Sequence, residues 1–208
     1  MNDSCRLILV RHGQTAWNAE RRLQGHTDVG LSERGEREAL AVGAALANEP
    51  IDAIWSSDLL RAHRTAACIA AHHAALSIRT DRALRERSYG VFEGLRLDEL
   101  STRHPEAVAG WSGDVLSLVP PQGELRRDFH HRIAAALASV AAAHPGQTVC
   151  VATHGGVLDV AYRLAGDVAF DAARQWSIVN AGINRLTITA GRFSLQSWGE
   201  DAHLAAVL

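Results

Sequence analysis

Several residue types and segment types are missing from this sequence. None of its 208 residues is lysine, so all 21 basic residues are arginine, and with 23 acidic residues they give a net charge of −2. This balance argues against a nucleic-acid partner bound through a broad basic face. No stretch reaches the roughly 18 unbroken apolar residues of a membrane span. The N-terminal sequence MNDSCRLILVRHG also lacks the pattern of a secretory signal, so we predict a cytoplasmic protein without a membrane partner.

Cysteine is scarce, whereas histidine is plentiful. The three cysteines, Cys5, Cys68 and Cys150, form an odd and scattered set, which predicts reduced and mostly buried thiols. The 11 histidines include the neighbouring pairs 72–73 and 130–131. Adjacent side chains on a helix point about 100° apart, so neither pair has the i, i+4 geometry of a helical zinc site. We therefore predict surface histidines at these positions and at residues 63, 104 and 144, and no metal.

The length and the alternation of elements predict an α/β protein. A chain of 208 residues with 47% apolar and 21% charged residues suits one globular domain over 1–208. Strands are predicted at residues 6–10, 51–55, 77–80 and 147–153, with a hairpin at 184–189 and 193–198. Helices are predicted at 32–46, 59–75, 97–103 and 124–143, and from about residue 157. This order indicates a mostly parallel sheet with helices on both faces.

Two of the predicted strands end in a histidine. The first runs into Arg11-His12-Gly13 and a later one into Thr153-His154-Gly155. The second strand is followed within a few residues by Arg61 and Arg64. Arg64, one helical turn later, is favoured as a surface or supporting residue. Since chemistry in such sheets gathers at the carboxyl ends of strands, these groups predict a dense positive pocket for a small dianion.

The residue types in this pocket suit phosphoryl transfer. An arginine fork matches phosphate oxygens two at a time, and a neutral imidazole nitrogen is a competent nucleophile toward phosphorus. Gly13 is expected to leave room for the substrate near the backbone. A departing alkoxide needs a proton, for which Glu86 is the candidate, with Glu93 as a second carboxylate seven residues further on. His26 is the one further histidine predicted near the pocket mouth.

Four ordered segments carry a family resemblance. They are LILVRHGQTAWNAERRLQGHTDVGLSERG at 7–35, SSDLLRAHRTA at 56–66, LRERSYGVFEGL at 84–95 and VATHGG at 151–156. Together they resemble the histidine phosphatase superfamily in its phosphoglycerate mutase-like branch, although threonine at 153 stands where serine is usual. The resemblance implies a three-layer α/β/α sandwich with one antiparallel strand in a mostly parallel sheet, and chemistry without a metal.

The resemblance also implies roles for matching residues. His12 corresponds to the nucleophile that becomes phosphohistidine, and Glu86 to the acid that protonates the leaving oxygen and then activates water. The residues that would hold the phosphoryl oxygens are Arg11, Asn18, Arg61 and His154. Those that would contact the rest of the substrate are Gln24, Gly25, Tyr89 and Gly155.

Three functions remain open at this level. A phosphatase would pass the phosphoryl group to water, a phosphoglycerate mutase would return it to the substrate, and a binding module would hold phosphate without turnover. Mutases of the family are longer and use extra basic residues to hold a bisphosphate primer, the one cofactor that this alternative needs. Here the variable, substrate-covering segment 95–122 is short, and Arg126-Arg127 are expected on a solvated helix face. The sequence therefore favours a phosphatase of a small phosphorylated metabolite, and it predicts no particular ester or oligomeric state.

Overall fold

The fold is one mixed sheet flanked by helices, described by a computed structural model over residues 4–109 and 117–207. The strands within these ranges are β1 (Ser4–Arg11), β2 (Ala53–Ser56), β3 (Ile78–Thr80), β4 (Thr148–Thr153), β5 (Ile183–Thr189) and β6 (Arg192–Glu200). The α-helices are α1 (Ala16–Ala19), α2 (Glu33–Ala45), α3 (Leu60–Ala70), α4 (Leu97–Arg103), α5 (Arg126–Ala142) and α6 (Gly155–Gly166). Residues 110–116, part of the predicted variable segment 95–122, lie outside the described residues.

The sheet has the order β3-β2-β4-β1-β5-β6. β1, β2, β3 and β4 pair in parallel, whereas β5 pairs antiparallel with both β1 and β6. Within the described ranges, β5 is thus the one strand that runs against the other five, as the resemblance predicts. The predicted strand and hairpin positions are confirmed with small differences at their ends.

Two apolar cores fill the two faces of the sheet. Leu7 and Leu9 of β1 contribute to the core beneath α5 and α6, whereas Ile8 and Val10 contribute to the core beneath α2 and α3. β4 alternates in the same way, and all six of its residues are buried. This accounts for the unbroken apolar runs of both strands, since a central strand covered on two faces has no polar side.

One helix was not predicted, and several helix boundaries differ from those predicted. α1 was not predicted, and it is a single turn that Thr15 caps at its N-terminus, with Asn18 completing the capping box. α3 ends at Ala70 instead of residue 75, because the chain must turn to place Ile78 beside β2. α6 begins at Gly155, two residues before the predicted start, so that His154 occupies the N-cap position directly after β4.

The thiols and the helices agree with two further expectations. Cys5, Cys68 and Cys150 are free and buried, and burial raises the pKa of Cys5 to about 11 and that of Cys150 to about 12. Both thiols are therefore protonated at neutral pH. Over residues 4–109 and 117–207, no helix is long and apolar enough to cross a membrane.

Candidate active site

The parallel pairing of β1 with β4 brings two histidines together. Arg11, the last residue of β1, lies opposite Thr153, the last residue of β4, and the next residue of each chain segment is a histidine. The ring centroids of His12 and His154 lie 5.3 Å apart in an edge-on arrangement, and both side chains are buried. The predicted convergence of the two strand ends is confirmed.

The hydrogen bond of His12 fixes which nitrogen is free to react. Its Nδ1 lies 2.7 Å from the carbonyl oxygen of Gly13. A carbonyl oxygen can only accept, so Nδ1 carries the hydrogen, and in the neutral ring Nε2 keeps its lone pair. The imidazole therefore has a basic nitrogen available for attack on phosphorus.

Two guanidinium groups lie against these rings. Arg61, at the start of α3, is fully buried and donates from Nη2 to the Gly25 carbonyl at 2.7 Å and from Nη1 to the Thr27 carbonyl at 3.0 Å. Arg11 donates from Nη1 to the carbonyl of Ile178 at 2.8 Å. Each arginine is thus held by backbone oxygens and fixed in place.

Four buried nitrogens of this cluster have no hydrogen-bond partner among the described residues. They are Nε of Arg11, Nε of Arg61 and both ring nitrogens of His154. Buried polar groups are almost always paired, and the exceptions call for an explanation. A neutral His154 ring has one N–H, so the cluster offers three donors at once, and an anion that accepts from Arg11, Arg61 and one nitrogen of His154 would satisfy them.

Burial decides which of these groups are charged. Burial, followed by the charges of Arg61 and Arg11, holds the pKa of His12 well below its ordinary value, and the same causes lower the pKa of His154. Burial lowers the pKa of Arg11 to about 10, so this guanidinium remains charged at neutral pH. The predicted positive pocket is therefore carried by two arginines, and both imidazoles are neutral.

Arg64 is the predicted cation that lies elsewhere. Its side chain is exposed and pairs with Glu36 at 2.8 Å. Arg61, one helical turn earlier on α3, is by contrast fully buried. The alternative of a surface or supporting position for Arg64 is thus the correct one.

The Glu86 carboxylate lies close to the guanidinium groups of Arg11 and Arg61. Its Oε2 accepts the N–H of Gly156 at the start of α6 at 2.9 Å, and its Oε1 accepts the N–H of Arg87 at 2.8 Å. Burial lowers the pKa of both Arg11 and Arg61, and the Glu86 carboxylate is the strongest charge opposing that change. A Cβ atom on Gly156 would lie 2.1 Å from Oε1, so glycine is required for this contact.

Glu93, the other candidate carboxylate, holds a loop together instead. It accepts the backbone N–H groups of His26, Thr27 and Tyr89 at 2.8–3.0 Å. Burial raises its pKa, but these hydrogen bonds and that of the Thr27 hydroxyl outweigh burial and leave the pKa below its ordinary value. Its oxygens are occupied in fixing the turn that presents the Gly25 carbonyl to Arg61.

The predicted substrate-contacting residues have different surroundings. Gln24 is buried and accepts from the Thr15 hydroxyl at 2.9 Å, and Gly25 supports Arg61 through its carbonyl. Gly155 lies against Arg11, because a Cβ there would be 3.5 Å from its Nε. Tyr89 lines a small cavity next to Glu86.

Asn18 and Gly13 also have roles within the protein. The Asn18 side-chain oxygen accepts the Thr15 N–H at 3.1 Å in the capping box. Gly13 was expected to leave room for the substrate, but the space beside it is filled by the protein. A Cβ atom there would lie 2.3 Å from the carbonyl oxygen of Gly35. The glycine allows the loop after His12 to pack against the start of α2.

The segment before β5 contributes residues that the sequence did not single out. The Asn180 side-chain amide donates to the His12 carbonyl at 3.0 Å, next to the Ile178 carbonyl that holds Arg11. Because β5 runs antiparallel, its first residue lies at the sheet edge where β1 ends. The local sequence before the predicted strand at 184–189 does not indicate this proximity.

A second missed group fixes the backbone of Glu86. Arg132 on α5 donates from Nη1 to the carbonyls of Ala83 and Arg85 at 2.8 and 3.0 Å, and Glu124 holds its guanidinium at 2.7 Å. His26 Nε2 lies 2.9 Å from the Glu86 carbonyl oxygen, so this histidine contacts the loop that carries Glu86. These contacts fix the backbone position of Glu86, from which its side chain extends.

The predicted surface positions of the remaining histidines and of the two arginines of α5 are only partly correct. Among the described residues, no three His, Cys, Asp or Glu side chains are grouped as in a metal site. His144 is buried against Trp55 and Gln147 and is not a surface residue. Arg127 is exposed, as expected, but Arg126 lies 4.4 Å from the Phe170 ring and lines the cavity beside Glu86.

Known proteins share this architecture and sequence. Residues 7–201 match the histidine phosphatase superfamily, branch 1. Phosphoglycerate mutase-like protein 4 of Arabidopsis thaliana is 38% identical over 97% of this chain and 88% of its own. A metal-independent phosphoserine phosphatase of the same plant is 34% identical over 97% and 84%. The structure of YhfR from Bacillus stearothermophilus has a TM-score of 0.87 at 30% identity and covers 96% of this chain and 99% of that one.

The chain therefore belongs to the histidine phosphatase superfamily. Both the predicted family and the predicted phosphoglycerate mutase-like fold are confirmed. The protein is an enzyme of this superfamily, whose members include phosphatases and mutase-like proteins.

The neutral state of the two histidines can be measured. We expect the rings of His12 and His154 to remain uncharged at pH 6 in ¹⁵N NMR spectra, whereas in urea they titrate near 6.5. At low pH the two rings therefore bind protons in the unfolded chain that they do not bind in the folded chain. The resulting loss of stability begins as the pH falls through 6.5, with a slope of up to about 1.4 kcal/mol per pH unit for each ring. His154→Gln should reduce the slope, and charged rings at pH 6 would contradict the expectation.

Proposed function

We propose that the protein is a phosphatase that transfers the phosphoryl group of a small ester first to His12 and then to water. The observation that carries this proposal is the free Nε2 of a neutral His12 beside two buried, charged guanidiniums. A phosphoryl transfer needs mainly positioning and stabilisation of charge on the oxygens, which this cluster offers.

In the first transfer, the ester phosphate would lie between the guanidiniums and the two imidazoles. Nε of Arg11, Nε of Arg61 and a ring nitrogen of His154 would donate to its oxygens, since none of them has another partner among the described residues. Nε2 of His12 then forms a bond to phosphorus while the bond to the alcohol oxygen breaks. The Nδ1 hydrogen bond to Gly13 keeps the ring aimed throughout.

Glu86 would move the protons of both transfers. Its carboxyl lies at the first turn of α6, beside the cluster that holds the phosphate. The acid gives its proton to the departing alkoxide, and the resulting carboxylate takes one from the water that attacks phosphohistidine.

The other residues predicted to bind the substrate would hold the phosphate-binding groups in position or border the substrate. Gly25 and Gln24 would act through the position of Arg61 and the Thr15 turn, while Gly155 would let Arg11 approach the start of α6. Asn18 would contribute an amide hydrogen bond from a turn whose oxygen is already used. Tyr89 would border the alcohol portion of the ester.

We favour water over a second alcohol as the acceptor. A mutase that uses a bisphosphate needs a basic group for the second phosphate, and the two arginines of α5 are engaged otherwise. Arg126 packs on Phe170, and Arg127 is exposed beside Asp128. No metal is required in this proposal, since Arg11 and Arg61 supply the positive charge. The substrate class is a small phosphorylated metabolite of the cytoplasm.

Replacement of the nucleophile tests the proposal directly. We expect His12→Ala to lower phosphate release from p-nitrophenyl phosphate by at least about a thousandfold and to abolish labelling by a ³²P-ester, because the phosphoryl acceptor is gone. His63→Ala, at an exposed position of α3, is the matched control and should keep both. Undiminished turnover in His12→Ala, or loss of wild-type turnover in EDTA, would refute the mechanism.

The role of Glu86 predicts a dependence on the leaving group. In Glu86→Gln, kcat/KM should fall by about 10²–10⁴ for an alkyl phosphate and by much less for p-nitrophenyl phosphate, whose phenolate leaves without a proton. Glu93→Gln is the control, since it loosens a loop and should affect both esters equally. An equal loss for both esters in Glu86→Gln would remove Glu86 as the acid.

The two acceptors can be distinguished with one substrate. We expect 3-phosphoglycerate, if it is turned over, to yield inorganic phosphate faster than 2-phosphoglycerate, with or without a bisphosphate primer. Chromatography of the products together with a phosphate assay measures the partition. Faster formation of the isomer would establish the mutase alternative, and phosphate binding without either product would establish a binding module.

A further inference from the structure

A narrow cavity lies next to Glu86, between α5, α6 and the loop after β3. Its volume is about 20 Å³, which is enough for one group of the size of a water molecule. Its wall combines aromatic rings, among them Tyr89 and Phe129, with two acidic side chains and several basic ones. The acidic residues are Glu86 and Asp159, and the basic residues are Arg87, Arg126, His130 and Arg163. A charged pair inside such a wall needs a reason, because burial of charge is costly.

Asp159 and Arg163 form an ion pair that is only partly satisfied. Nε of Arg163 donates to Oδ2 of Asp159 at 2.9 Å, and its Nη1 donates to the Ala169 carbonyl at 2.7 Å. The ring of Trp176 lies 4.8 Å from the guanidinium and helps to fix it. Both side chains are buried, yet Oδ1 of Asp159 and Nη2 of Arg163 have no partner among the described residues.

The two unpaired atoms define what the cavity can accept. Oδ1 needs a donor and Nη2 needs an acceptor, and a hydroxyl group can serve both at once. An ammonium group would be repelled by the guanidiniums of the wall, which belong to Arg87, Arg126 and Arg163. A carboxylate would be repelled by Glu86 and Asp159, so neither charged group would meet favourable charges alone. With room for one small group, the cavity suits a hydroxyl.

The position of Glu86 links this cavity to the reaction. The oxygen that leaves the phosphorus must lie within reach of the Glu86 carboxyl, which is itself part of the cavity wall. The carbon chain attached to that oxygen therefore begins beside the cavity. A hydroxyl a few bonds along the chain can then reach the ion pair.

We propose that Asp159 and Arg163 form a specificity site for a hydroxyl group on the alcohol portion of the phosphate ester, which assigns the substrate to hydroxylated phosphate esters. This inference rests on the proposed function, because it places the leaving group beside Glu86. Neither residue contacts the phosphate itself in this arrangement. Their effect is on the choice among esters.

Matched esters test the inference on the intact enzyme. We expect kcat/KM for glycerol 1-phosphate to exceed that for propyl phosphate by about 10- to 100-fold, the usual effect of a hydrogen bond to a charged group. 3-Aminopropyl phosphate and 2-carboxyethyl phosphate, which carry an ammonium and a carboxylate, should be poorer than glycerol 1-phosphate. Equal values for the glycerol and propyl esters, or a preference for either charged ester, would overturn the inference.

Variants then locate the preference at the ion pair. Asp159→Leu/Arg163→Met replaces the pair by apolar side chains of similar size and should bring the glycerol-to-propyl ratio close to one. Asp159→Asn, which changes one oxygen to an amide, should reduce the same ratio and serves if the double variant does not fold. Arg127→Gln/Asp128→Asn alters an exposed pair on α5 and should keep the wild-type ratio. An unchanged ratio in the Asp159 variants would assign the preference to other residues.

The inference and the proposed function can fail separately. Release of phosphate from both esters at equal rates, with ³²P on His12, would leave the phosphatase intact and remove only the hydroxyl site. Absence of phosphate release from every ester, together with an unlabelled His12, would remove the phosphatase and the hydroxyl site with it.

Discussion

The parallel pairing of β1 with β4 is the constraint on which the site depends. It sets Arg11 opposite Thr153, so the residue that follows each strand is a histidine at the same sheet edge. Both strands are buried on two faces, and their apolar side chains hold the register against both helix layers. A shift of one residue would exchange the faces of a strand and misplace its histidine, so packing of the core and geometry of the site are fixed together.

Burial beside arginine gives the two types of basic group different roles. An imidazole can give up its charge when it is desolvated, whereas a guanidinium keeps its charge, as the pKa of about 10 for Arg11 illustrates. The same environment thus yields uncharged imidazoles beside charged guanidiniums at neutral pH, the combination on which the proposed phosphoryl transfer depends. Backbone carbonyls hold the arginines, so their positions do not depend on a substrate.

Glu86 is placed by contacts from three parts of the chain. The start of α6 binds its carboxylate, Arg132 of α5 holds the preceding carbonyls, and His26 lies against its own carbonyl. The cavity that continues from it along α6 contains the half-satisfied pair of Asp159 and Arg163. In the proposed function, the phosphate of a substrate would meet the cluster of Arg11, His12, Arg61 and His154, and its alcohol portion would meet this cavity.

The sequence by itself determined the strands, most of the helices and the mixed α/β class, because these follow from apolar periodicity. Motifs at strand ends and the four family segments also predicted which residues lie close together at the sheet edge, namely Arg11, His12, Arg61, Glu86 and His154. It did not determine that Asn180 supports His12, that Arg132 anchors the Glu86 loop, or that Asp159 and Arg163 share a cavity with the acid. These contacts join segments up to 168 residues apart. Only the packing of the helices and the reversed direction of β5 bring them together, since local patterns encode secondary structure but not which distant side chains become neighbours.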